Sequence, residues 1–170
     1  MILPQRPKAR WLREVNDSKL LKPDKREFLF DHIFEIAVSV SVGIIPHDVI
    51  DKDNILVATR LAMRQAVERL SPPAESLLID YLWLPEVPLP QKGIVNGDGL
   101  CFSISCASII AKVTRDRLMV KVDGVYPGYG LGKHKGYCTP QHAANLQRLG
   151  PSPIHRLSFH PVKDFLLWRK

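Results

Sequence analysis

An α/β fold is what these 170 residues predict, and three observations predict it. Short apolar runs of strand type alternate with stretches whose apolar residues recur at helical spacing. One run, VSVSVGI at 38–44, alternates strictly and reads as a half-buried strand with Val38, Val40, Val42 and Ile44 on one side, so part of the sheet is expected to be antiparallel. Pro and Gly pairs punctuate the chain where elements should stop, as at Ser71-Pro72-Pro73 and Gly150-Pro151.

The elements follow in order. Pro23 sits where a first helical turn tolerates it, and Phe28, Phe30, Ile33, Phe34 and Ala37 give a mostly helical pattern to about residue 36. After the alternating run, Ile55, Leu56, Thr59, Ala62, Met63, Ala66, Val67 and Leu70 share one helix face. SLLIDY (76–81) is a short strand with Asp80 near its end, LPEVPLPQ (84–91) a surface loop, and KGIVNG (92–97) a second strand that hands over to Asp98. Residues 103–120 read as a helix rich in small residues. The Gly- and Lys-rich stretch YPGYGLGKHKGYCT (126–139) is a loop, and Thr139-Pro140 opens a last clear helix.

The length suits a single domain. The 24 Lys+Arg against 17 Asp+Glu give a net charge of +7, a basic excess that permits a polyanionic partner such as nucleic acid. Cys101, Cys106 and Cys138 match no zinc spacing and are odd in number, which reads as reduced thiols in a cytoplasmic protein. The N-terminus lacks the apolar core of a signal peptide, and nothing approaches the ~20 apolar residues of a membrane span.

Asp80 and Asp98 lie 18 positions apart, at the end of one strand and just past the next. Carboxylates at neighbouring strand ends either form turns or converge on one point, where their repulsion requires a cation. Hard oxygen ligands of that kind suit Mg²⁺ or Mn²⁺. Asp116 lies between Arg115 and Arg117 and is expected to form a structural ion pair. Lys133, His134 and Lys135 with Tyr129 and Tyr137, set among glycines, make either a nucleic-acid contact loop or a flexible surface loop. Lys19, after Asn16-Asp17-Ser18, either holds a phosphate or is solvated. His155-Arg156 is structural or phosphate-facing.

Taken together, NDSKLL, DKDNILVATRLAM, LLID, NGD, SCASIIAKVTRD, YPGYGLGKHKGY and GPSPIHRLSFHPV resemble, in order, the motifs of the ribonuclease HII family, over about residues 12–163. The resemblance implies a ribonuclease H-like fold: a mixed five-stranded sheet flanked by helices, with a helical C-terminal part. It implies a metal-dependent endonuclease, using Mg²⁺ or Mn²⁺, that cuts the RNA strand of RNA–DNA hybrids. It also implies incision of duplex DNA on the 5′ side of embedded ribonucleotides. Asp80 then matches the third of four catalytic, metal-binding carboxylates and Asp98 the fourth, with Asn96 where Lys-Gly-Asp is usual. Lys19 resembles a phosphate-contacting lysine, Tyr137 a tyrosine that packs on the sugar beside the ribonucleotide, and Lys135 lies in the same contact loop. Asp116 belongs to the family pattern outside the four. Lys22 stands where a serine cap is common and is expected to cost stability. A monomer is expected.

The family pattern opens with a strand carrying adjacent Asp-Glu and a Gly-Arg-Gly turn, and no adjacent Asp-Glu occurs in these residues. The expectation is therefore an N-terminally truncated member that starts inside the second strand at Met1-Ile2-Leu3-Pro4 and lacks the family's first strand. The alternative is a catalytically impaired hybrid-binding fragment.

Overall fold

Helix boundaries follow the capping chemistry written in the chain. In the computed structural model, which describes residues 1–167, α1 spans Pro23–Ile36 and buries Leu29 and Ile33 completely. Lys22 precedes it without a side-chain capping bond, as expected of a lysine there. A short helix that the sequence did not reveal, α2, covers His47–Asp53. Asn54 follows with φ of 81°, and its side-chain oxygen accepts from the Leu56 and Val57 amides at 2.9 and 3.2 Å, which starts α3 at Ile55–Glu68. Two strands, β1 (Leu77–Asp80) and β2 (Gln91–Ile94), pair in parallel with Asp80 opposite Ile94. One turn of helix, α4, covers Gly97–Leu100, and α5 then runs Phe102–Val125. A turn inside the Gly-rich loop, α6, is Leu131–His134, and α7 is Pro140–Leu149. Thr139 caps α7 by accepting the His142 amide at 3.2 Å; α8, at Val162–Leu167, closes the described residues.

Three differences from expectation have physical causes. The run 38–44 is extended but forms no strand: Ile2 and Ser39 exchange backbone bonds in a single antiparallel bridge, and the ladder goes no further. In that antiparallel register Val40 falls opposite Met1, and residues 41–44 meet no partner strand among the described residues. The alternation survives in its middle, where Val40 and Val42 pack on the core, while Val38 and Ile44 at its ends are about half exposed. The sheet is consequently a parallel pair plus that bridge among the described residues, mixed in direction but short of five strands. Third, α5 continues past residue 120, which puts Asp116 well inside the helix and not at its C-terminal end.

The chain divides into two compact units. Unit 1 comprises Met1–Ile44 and Thr59–Val113. One of its apolar clusters joins Leu29 and Ile33 to Cys106, Ile109, Ile110 and Val113; another packs Leu77, Ile79, Leu84 and Val87 beneath the strands. Each fully buried Leu or Ile contributes about 1.5–3 kcal/mol. Unit 2 comprises Ile45–Ala58 and Thr114–Lys170, with Tyr129, Leu131, Leu146 and Val162 at its centre.

Candidate active site

In unit 1 the site is built on the ends of β1 and β2. Asp80 closes β1, and its Oδ1 accepts the Gly97 amide at 2.8 Å. That bond ties the strand-end carboxylate to the residue immediately before Asp98. Asn96, at φ 55°, turns the chain from β2 into α4. A Cβ at Gly97 would lie 2.6 Å from Ile104 Cδ1 and 3.4 Å from Asp80 Cα, so a larger residue here would have to push the Ile104 side chain aside. Asp98 sits in the first turn of α4, and its backbone carbonyl accepts the Ser105 hydroxyl at 2.6 Å, which fixes the turn to α5.

The Asp98 carboxylate is largely covered, its side chain 13% exposed, and Oδ2 accepts from the Lys19 ammonium at 2.9 Å. Lys19 comes from a turn that is itself held. Its own amide donates to Asp17 Oδ1 at 2.9 Å, and the buried Ser18 hydroxyl meets that of Ser108 at 2.8 Å. Arg26 donates from its guanidinium to the Ser18 carbonyl at 3.0 Å. The bond to Asp98 raises the Lys19 pKa above its ordinary value, with the charges of Asp17, Asp98 and Asp80 adding to it. Both candidate carboxylates therefore act on one ammonium.

This arrangement passes a test for a hard divalent cation. It offers carboxylate oxygens at a place already chosen by a positive charge, and Mg²⁺-type ions are commonly held by one or two carboxylates, with water and substrate phosphate completing the shell. Among the described residues, no group of three or more His, Cys, Asp or Glu able to hold a metal is present, and Asp80 and Asp98 are the carboxylates this arrangement would offer. A shallow recess of about 320 Å³ is lined by Phe34, Ala37, Val38, Ser39, Val40, Arg69 and Ser71, none of them a candidate.

In unit 2 the Gly-rich loop is pinned. The Leu131 amide donates to Asp123 Oδ1 at 2.8 Å, and the Tyr129 hydroxyl donates to the Gly150 carbonyl at 2.8 Å. Gly130, Lys135 and Gly136 all adopt positive φ, which bends the loop around α6. The Lys135 ammonium donates to the Gly132 carbonyl. Tyr137 is more than half exposed, and the Arg115 guanidinium lies over its ring at 5.3 Å. Arg115 Nη1 is also 4.0 Å from Asp116 Oδ1, at the limit of an ion pair. The aromatic role of Arg115 was not legible in the sequence, because Arg115 and Tyr137 are far apart in it.

His155 is structural. It is buried, and its Nδ1 accepts the Ser152 amide at 3.0 Å while its Nε2 meets His142 Nε2 at 3.2 Å. His142 Nδ1 faces the Tyr137 carbonyl at 3.0 Å and so must carry a proton. His142 Nε2 then accepts from His155. His134 closes the set: its ring stacks on His142 at 4.2 Å, its Nδ1 accepts the Gly136 amide and its Nε2 donates to Tyr129 O. Every bond is satisfied with all three rings neutral. Burial holds the pKa values of His142 and His155 below the ordinary histidine value. Asp51 was missed in the sequence as well: its carboxylate accepts the Leu157 and Ser158 amides and the Ser158 hydroxyl, anchoring the 155–160 segment.

Comparison with known proteins agrees with the resemblance. The family model described as Ribonuclease HII matches residues 6–162. A Ribonuclease HII of Dehalococcoides mccartyi strain 195 is 56% identical over 164 residues, covering 96% of this chain and 78% of that protein. One from Geobacillus kaustophilus is 49% identical over 160 residues, covering 94% of this chain and 61% of that protein. The crystal structure of the ribonuclease H2 from Pyrococcus horikoshii OT3 superposes with a TM-score of 0.70 over 94% of this chain and 84% of that one; at 24% identity it supports the fold. With a family model spanning almost all of it and relatives at about half identity, the chain belongs to the ribonuclease HII family.

Proposed function

We propose that this ribonuclease is a divalent-metal-dependent endonuclease. It cuts the RNA strand of RNA–DNA hybrids and incises duplex DNA on the 5′ side of embedded ribonucleotides. The observation that carries the reading is the pairing of Asp80 and Asp98 through Gly97, with Asp98 facing a cation at 2.9 Å. In this reading Asp80 and Asp98 hold Mg²⁺ or Mn²⁺. When bound, such an ion polarises a water and neutralises charge on the phosphodiester. The chain's own groups do the rest: Asp80 and Asp98 orient the ion through backbone-fixed carboxylates, Lys19 and Lys135 meet phosphates, and Tyr137 stacks on a sugar or base with Arg115 behind it. In this reading the protein is a cytoplasmic monomer. No helix among the described residues is long and apolar enough to cross a membrane.

The test is cleavage of an end-labelled RNA–DNA hybrid, and of a DNA duplex holding one ribonucleotide, in Mn²⁺ or Mg²⁺. Asp98→Asn is expected to lower the rate by at least about 10–100-fold, since even outer-sphere partners of a metal cost that much. Hybrid binding should be retained. Cleavage by Asp98→Asn at the wild-type rate would remove Asp98 from the reaction. Tight hybrid binding by the wild-type chain with no metal-dependent cleavage would favour the second reading, a hybrid-binding module.

A further inference from the structure

We infer that Lys19 is a built-in counter-ion that occupies the cation position of Asp98 and must be displaced before a divalent metal can bind. The inference rests on the metal-site reading above and goes beyond it, because it assigns Lys19 a role toward the ion as well as toward phosphate.

The geometry is specific. The ammonium is 2.9 Å from Asp98 Oδ2 and 3.9 Å from Asp17 Oδ1. A carboxylate oxygen in a charge-assisted bond of that length is presenting the lone pair a metal would take. The turn beneath Lys19 is held at three points: Asp17 to the Lys19 amide, Ser18 to Ser108, and Arg26 to the Ser18 carbonyl. The lysine side chain itself is 74% exposed, so only its tip is committed and the stem is free to swing into solvent. Asp98, 13% exposed, does not have that freedom. The two partners therefore differ in the way a replaceable counter-ion and a fixed ligand should differ.

Two consequences follow. Without metal, Lys19 offsets the repulsion between Asp80 and Asp98 and keeps Asp98 in place. With metal, the ammonium is expelled by like charge and released toward the solvent side, where a nucleic-acid phosphate can take it. Metal entry and phosphate capture by Lys19 then favour each other.

The experiment measures Mn²⁺ binding alone, by titration calorimetry on the full chain without nucleic acid. Lys19→Met keeps the length of the side chain and removes the charge; it is expected to bind Mn²⁺ about 1.4-fold to fivefold more tightly than wild type, the scale of an exposed ion pair that no longer competes. Lys19→Arg, which restores a cation, is expected to return the affinity to near the wild-type value. Asp98→Asn is expected to abolish the binding event. Equal or weaker binding by Lys19→Met, with Asp98→Asn still abolishing it, would overturn the counter-ion role and leave the metal site standing. Unchanged binding in Asp98→Asn would overturn the metal site itself. Thermal unfolding of each variant checks that the fold is intact, which the exposure of Lys19 favours.

Discussion

Acid should loosen unit 2 through its histidine chain, and the size of the effect is bounded by the structure. His142 and His155 are 8% and 7% exposed, joined ring to ring at 3.2 Å, with the outer nitrogens committed to the Tyr137 carbonyl and the Ser152 amide. An added proton has no acceptor. On His155 it lands on Nδ1 against the Ser152 N–H; on His142 it lands on Nε2 against the His155 N–H. Burial, first of all, holds both pKa values below 6.5, and the neighbouring histidines add to it. The unfolded chain thus binds more protons than the folded one below that point, so stability is fully present above about pH 6.5 and is lost as pH falls through the folded values. Each group can remove at most about 1.4 kcal/mol per pH unit. The unfolded rings are half protonated at about pH 6.5, so with neither folded ring taking up a proton the pair removes at most about 2 kcal/mol, a Tm drop of at most about 4–8 °C, between pH 6.5 and 5.5 at about 2–4 °C per kcal/mol for a chain of this size. Calorimetric unfolding at those two pH values measures it. His155→Gln provides the control, because the other histidines cancel in the difference: the variant should lose stability less steeply with acid. A variant whose pH profile is parallel to wild type would refute the neutral chain.

Three other outcomes are expected. Gly43→Ala should cost about 1–3 kcal/mol or more by chemical denaturation, because its Cβ would meet the Ala62 carbonyl oxygen at 1.8 Å and helix backbone cannot give way as a side-chain tip can. Thiol labelling at pH 8 should modify exposed Cys138 rapidly and spare Cys106, which is fully buried and whose pKa is pushed up to about 12 by that burial and by the charge of Cys101. Lys135→Ala should weaken hybrid binding and flatten the slope of log affinity against log salt by up to about 0.9, one phosphate contact, whereas Tyr137→Ala should weaken binding with the slope unchanged.

The parts of the site legible in the sequence were those written in short words. NGD and LLID place their aspartates on adjacent elements because a strand of a few residues and a tight turn leave little freedom. The parts that were not legible join distant positions. Arg115 finds Tyr137, Asp51 finds Ser158, and Ser18 finds Ser108, in each case through packing that no local pattern encodes. The 126–139 loop composition left contact loop and flexible loop equally open, and its hydrogen bonds to Asp123 and Gly150 decide that it is pinned.

By itself, the sequence determined the helix starts at Pro23 and Pro140, the β1 and β2 strands, the alternation of elements and the family, because caps, periodicity and motifs are local. Tertiary structure alone decided three things. The alternating run 38–44 pairs at a single residue, because a ladder needs a partner strand and residues 41–44 have none among the described residues. His155 belongs to a buried neutral chain, because three distant rings meet where water does not reach. And Lys19 lies on Asp98, because a turn locked by Ser18 carries its ammonium to a carboxylate 79 positions away.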